Sequence, residues 1–148
     1  MAAPVPSGSA ASPLLARRVI CAAMTAATLL YTVLGWFVIA RARVVPEGAI
    51  PPVIQYALMG AALGMLLAGS WLSLRATDVP AESPPGGDPV SPVALDSLRR
   101  GLIALVVLEG SALVFTVTAV VSGRLEMLAG PLVCAGLMLR MWPRESGS

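Results

Sequence analysis

Glu109 is the residue whose type and setting could do chemistry. It is the one charged residue in an apolar run from Gly101 to Gly123. A helix rises about 1.5 Å per residue, so Glu109 falls ~13 Å inside the run, near the midplane of a ~30 Å hydrocarbon core. The ionised form of a carboxyl group is expensive there, and no arginine falls at a comparable depth in any other apolar run. A permanent internal ion pair is therefore not expected. Two chemistries remain. A protonated Glu109 can hydrogen-bond to a neighbouring helix. Alternatively, it can exchange a proton or hold a cation where a water path or a partner's charge reaches it.

Other chemistries lack their residues. The sequence has no His, which removes the commonest general base and metal ligand. Cys21 and Cys134 stand singly in separate apolar runs and read as small packing residues. No nucleophile elbow, phosphate loop or metal-ligand cluster occurs, so no enzymatic activity, cofactor or metal is expected. The net charge of +2, with arginines at the ends of apolar runs, gives no basic patch for nucleic acid.

The elements that would carry Glu109 follow from the distribution of charge. With 57% hydrophobic and 12% charged residues, the chain of 148 residues suits lipid rather than water. Four transmembrane helices are expected, at about 19–40, 53–74, 97–123 and 125–142, in one membrane domain spanning 17–143. The expectation is an all-α, integral-membrane four-helix bundle made of two helical hairpins. The first apolar run is longer than a signal-peptide core, although Ala40-Arg41-Ala42 mimics a cleavage site. The third still inserts: twelve Leu, Ile, Val and Phe residues at about −0.3 to −0.6 kcal/mol each outweigh roughly +2.5 to +3.5 kcal/mol for one central charge. The fourth has a shorter uncharged stretch, and Glu126 and Arg140 must snorkel to the two interfaces. Residues 1–16 read as a flexible tail and residues 76–96, rich in Pro and Gly, as a cytoplasmic loop.

Arginine placement sets the expected topology. Arg17, Arg18, Arg75, Arg99, Arg100, Arg140 and Arg144 fall on one side, and Arg41, Arg43 and Arg124 on the other. This bias places both termini in the cytoplasm, with Trp36, Trp71, Trp142, Arg99, Arg100 and Arg140 as interface anchors. A bacterial inner membrane is the expected location.

Small residues mark where helices could meet. Gly60 and Gly64 form a GxxxG pair, and Ala57, Ala61 and Ala68 extend the stripe. Such a surface lets backbones pack closely in lipid, inside the bundle or between copies. Gly110, Ser111 and Ala112 would let another helix approach beside Glu109. The expected partners are the bilayer and other membrane helices, in a homo- or hetero-oligomer.

The third helix reads Leu105-Val-Val-Leu-Glu109-Gly-Ser-Ala-Leu113-Val-Phe115. It resembles the carboxylate helix of the rotary ATPase proteolipids, the c or K subunits, whose Glu precedes small residues and an aliphatic-aromatic stretch. The order of a Gly-bearing helix, a cytoplasmic loop and an acid-bearing helix is similar too. The chain as a whole resembles small uncharacterised four-helix bacterial membrane proteins with a Glu in the third helix. The proteolipid resemblance implies that Glu109 carries a proton or cation. A structural or assembly protein without transport is the alternative. A small proton-coupled exporter is a second alternative; small multidrug-resistance transporters also have four helices and one membrane Glu, but in the first helix.

Overall fold

The computed structural model describes residues 13–42, 50–77 and 92–142. The start of the expected tail, most of the expected loop, and Arg43 and Arg144 of the topology argument lie outside them. Four α-helices are present among the described residues: α1 (Pro13–Ala42), α2 (Pro52–Thr77), α3 (Pro92–Ser122) and α4 (Ala129–Arg140). A short 3-10 helix, Leu125–Leu128, joins α3 to α4.

Three of these helices contain segments long and apolar enough to cross a membrane, Leu15–Arg41, Pro52–Arg75 and Leu98–Ser122. By length and composition these helices fit a small helical membrane protein. Both α1 and α3 begin earlier than the uncharged runs do. Pro13 and Pro92 occupy their first positions, where a missing N–H costs nothing. Arg17 and Arg18 therefore lie within α1, and residues 92–96 of the expected loop belong to α3.

The fourth expected span is divided. Pro131 lies in the first turn of α4 and is buried. Its ring would clash with the carbonyl of Met127 in a continuous α-helix. The chain accordingly takes 3-10 geometry over the four residues Leu125–Leu128 and then twelve residues of α-helix. Together these reach about 26 Å, short of a ~30 Å core. The turn before them lies at Ser122-Gly123-Arg124. Gly123 has φ +67°, the left-handed conformation that glycine adopts without strain, and the Arg124 N–H donates to the Ala119 carbonyl at 3.2 Å.

Helix α3 is the centre of the molecule. Half of its apolar window is buried, against 17% for those of α1 and α2. Helices α1 and α4 pack on α3 and on each other, while α2 lies against α3 and makes no contact with α1. This is a three-helix cluster with α2 attached to its central member, rather than a square bundle of two hairpins. The pairing Arg17 with Gly101 and Gly35 with Thr116 makes α1 parallel to α3. Gly69 against Leu108 and Ala62 against Ser111 make α2 antiparallel to it.

The buried threonine hydroxyls in these helices are satisfied locally or across helices, as hydrocarbon requires. Thr25, Thr32, Thr116 and Thr118 each donate to the carbonyl four residues earlier, at 2.7–2.9 Å. Between α1 and α4, the Cys21 thiol donates to the Met138 carbonyl at 3.3 Å and the Thr28 hydroxyl to the Met138 sulfur at 3.8 Å.

The close approach of α2 to α3 gives a direct contrast between glycines. A Cβ at Gly69 would stand 2.9 Å from the Leu108 side chain, whereas one at Gly60 would meet nothing within 4 Å. Gly69→Val is expected to destabilise the fold by about 1–3 kcal/mol. Gly60→Val should leave monomer stability within about 0.5 kcal/mol. Unfolding of both variants in detergent by an SDS titration followed by circular dichroism measures this.

Candidate functional site around Glu109

The position of Glu109 follows from which side of α3 each neighbour uses. Successive residues turn by about 100°. Ala104, Leu105, Leu108, Ala112, Phe115 and Ala119 form the buried face, while Leu102, Ile103, Val106, Leu113 and Val117 remain exposed. Glu109 falls on the border between the two faces and is half-buried. It is near the middle of the Leu98–Ser122 segment.

Helix α1 runs along the same border. Its contacts reach Gly101 and Thr116, which lie eight residues before and seven after Glu109 and bracket it on this side. Helix α2 lies on another side. The Ser111 hydroxyl donates to the Ala62 carbonyl at 2.8 Å, and a Cβ on Gly110 would overlap the Met65 methyl. Ser111 and Ala112 are fully buried. Gly110 and Ser111 thus admit a helix closely, as expected, but on a side of α3 turned away from the carboxyl group.

Among the described residues, Glu109 makes no hydrogen bond and no ion pair. The nearby hydroxyl of Thr116 donates instead to its own helix, to the Ala112 carbonyl at 2.9 Å. A carboxyl group on the border between buried and lipid-facing surfaces, open on one side, can meet a group brought by another molecule without disturbing the packing. A fully enclosed carboxyl group could not.

The GxxxG stripe is not an internal packing surface. Gly60, Gly64, Ala57, Ala61 and Ala68 are all exposed, and a Cβ at either glycine meets nothing within 4 Å. The packed face of α2 is the opposite one, which carries Ala62, Gly69 and Ser73. Sequence reasoning missed this face. The signal was available: Ala62 and Gly69 are seven residues apart, and Gln55, Leu66 and Ser73 continue the same side.

The expected anchors lie toward the ends of the apolar segments or of α4 and are exposed. These are Trp36, Trp71, Trp142, Arg99, Arg100 and Arg140. The Arg75 guanidinium stacks 3.9 Å from the Trp71 ring centroid, and Arg41 lies 5.2 Å from that of Phe37. Such pairs keep a cation at an apolar helix end while its stem covers an aromatic face.

Comparison with protein-family models, curated proteins and solved structures finds no match.

The bond from Ser111 is the polar link between α2 and the helix that carries Glu109. Ser111→Ala removes it but leaves the Ala62 carbonyl its own helical N–H. The expected loss is about 0.6 kcal/mol, typical of a membrane hydrogen bond. The same SDS titration, run on Ser111→Ala beside the unaltered chain, checks that value.

Proposed function

We propose that the chain is a proteolipid-like membrane subunit or accessory protein of a bacterial inner membrane, with both termini in the cytoplasm. In this reading Glu109 takes up and releases a proton, or holds a cation, when a partner helix presents a charge or a water path beside it. The observation that carries the reading is a half-buried carboxyl group midway along the central helix, with no hydrogen-bond or ion-pair partner among the described residues. A carboxyl group kept only as structural glue would be expected to bond a neighbouring helix, as Ser111 does. The resemblance of the sequence around Glu109 to the proteolipid carboxylate helix supports the same role.

A hydrophobic carbodiimide, which reacts with protonated carboxyl groups in membranes, tests this. It should modify Glu109 in native membranes, and Glu109→Gln should abolish the modification while leaving helicity and expression unchanged. Absence of labelling in the unaltered chain would count decisively against a protonatable site open to lipid.

The outward stripe of α2 favours a second reading, an assembly role. Gly60 and Gly64 offer a surface on which a second backbone can approach closely. Under this reading Gly60→Leu or Gly64→Leu shifts the chain to smaller species in cross-linking and size-exclusion experiments, whereas Glu109→Gln assembles normally. Unchanged assembly in both leucine variants would remove the support for it.

A further inference from the structure

A separate feature lies where α1 and α3 begin. The two helices run parallel, and between the second turn of α1 and the second to fourth turns of α3 is a groove with a cavity of about 180 Å³, lined by Ile20, Leu98, Leu102 and Leu105 and, at one side, by Arg17 and Gly101. Gly101 leaves room for the arginine: a Cβ there would stand 3.6 Å from Nη2 of Arg17. The guanidinium therefore lies over bare backbone beside an apolar channel.

Depth and charge say what can fill it. Arg17 is two residues inside the apolar segment of α1, and Gly101 three inside that of α3. At 1.5 Å per residue both lie about 3–5 Å below the segment ends, where headgroups give way to acyl chains. Ile20 and Leu105 lie roughly a turn deeper. Arg17 is the basic residue that lines the groove, and Asp96 is the single carboxylate among the described residues at this end. That carboxylate is already paired with Arg100, while Arg17 is in no ion pair among the described residues.

We propose that this groove binds an anionic phospholipid. Its phosphate accepts hydrogen bonds from the Arg17 guanidinium, a fork that matches phosphate geometry. One acyl chain lies down the channel against Ile20, Leu102 and Leu105. Basic pockets between membrane helices at the headgroup level are suited to such lipids, and the apolar lining separates this site from one for a soluble anion. The site is independent of Glu109, which lies two turns further along α3.

The full chain in detergent is titrated with phosphatidylglycerol and with phosphatidylcholine of the same acyl chains, and bound lipid is read by native mass spectrometry. Phosphatidylglycerol should bind more tightly. Arg17→Gln should weaken it by about tenfold, leaving phosphatidylcholine unchanged. Arg99→Gln, which alters an exposed arginine outside the groove, should weaken it by no more than the roughly fivefold expected of one basic residue near an anionic surface. Gly101→Leu, which fills the channel but keeps every charge, should weaken both lipids. Equal losses in Arg17→Gln and Arg99→Gln would overturn the proposal in favour of diffuse surface attraction. So would displacement of phosphatidylglycerol by millimolar inorganic phosphate, which would indicate a soluble-anion site. Should Gly101→Leu fail to fold, the contrast between the two arginine variants decides alone.

Discussion

The close approach of α2 to α3 is the constraint on which the rest of the arrangement depends. In hydrocarbon, burying one leucine against another gains little, because lipid tails are equally apolar. Helices associate through tight packing and through polar groups that water cannot satisfy. Ala62 and Gly69 on α2, facing Ser111 and Leu108 on α3, supply both. Once α2 occupies that side of α3, α1 and α4 must share the remaining buried face. They do so with their own polar links, from Cys21 and Thr28 to Met138. The border that carries Glu109 is what this division leaves over.

The same physics explains how much was legible in the sequence. Apolar runs bounded by charged residues or proline locate α1, α2 and α3, since hydrophobic length is a local property, although α1 and α3 begin about a turn and a half before the expected spans. The break before α4 was only half legible. Gly130-Pro131 stands near the start of the run, but the consequence, a 3-10 turn followed by a twelve-residue helix, depends on the Pro131 ring against the preceding turn. Which face of α2 packs was not legible from the GxxxG motif. Two small-residue faces compete on that helix, and Ala62 with Gly69 match the shape of α3 around Leu108. That match is a property of two helices together, so the spacing of Ala62, Gly69 and Ser73 marks a second candidate face without deciding between the two.

The candidate site divides in the same way. The place of Glu109 midway along its helical segment was legible, because counting along an apolar run fixes position in the helix. Its neighbours were not. The small residues after it suggested a helix packed beside the carboxyl group, yet Gly110 and Ser111 face α2 at roughly 100° and 200° around the helix from Glu109. Arg17 counted toward topology alone in the sequence. Its place over Gly101 needs α1 and α3 to be parallel and in register, which two segments separated by more than eighty residues do not declare.

A border position gives Glu109 a property that neither extreme would have. A carboxyl group facing only lipid is held in its neutral form by solvation, whatever else the protein does. One sealed among helices is held equally firmly by its hydrogen bonds, and the packing must open before its state can change. At the border, α1 fixes one side of Glu109 and the other remains open along a face of apolar side chains, Leu102, Val106, Leu113 and Val117. A partner that slides along this face can bring a charge or a water path to the carboxyl group without separating α1, α2 or α4 from α3. Under the proposed function, the helix that scaffolds the fold can therefore present its carboxyl group to a partner without strain on the scaffold.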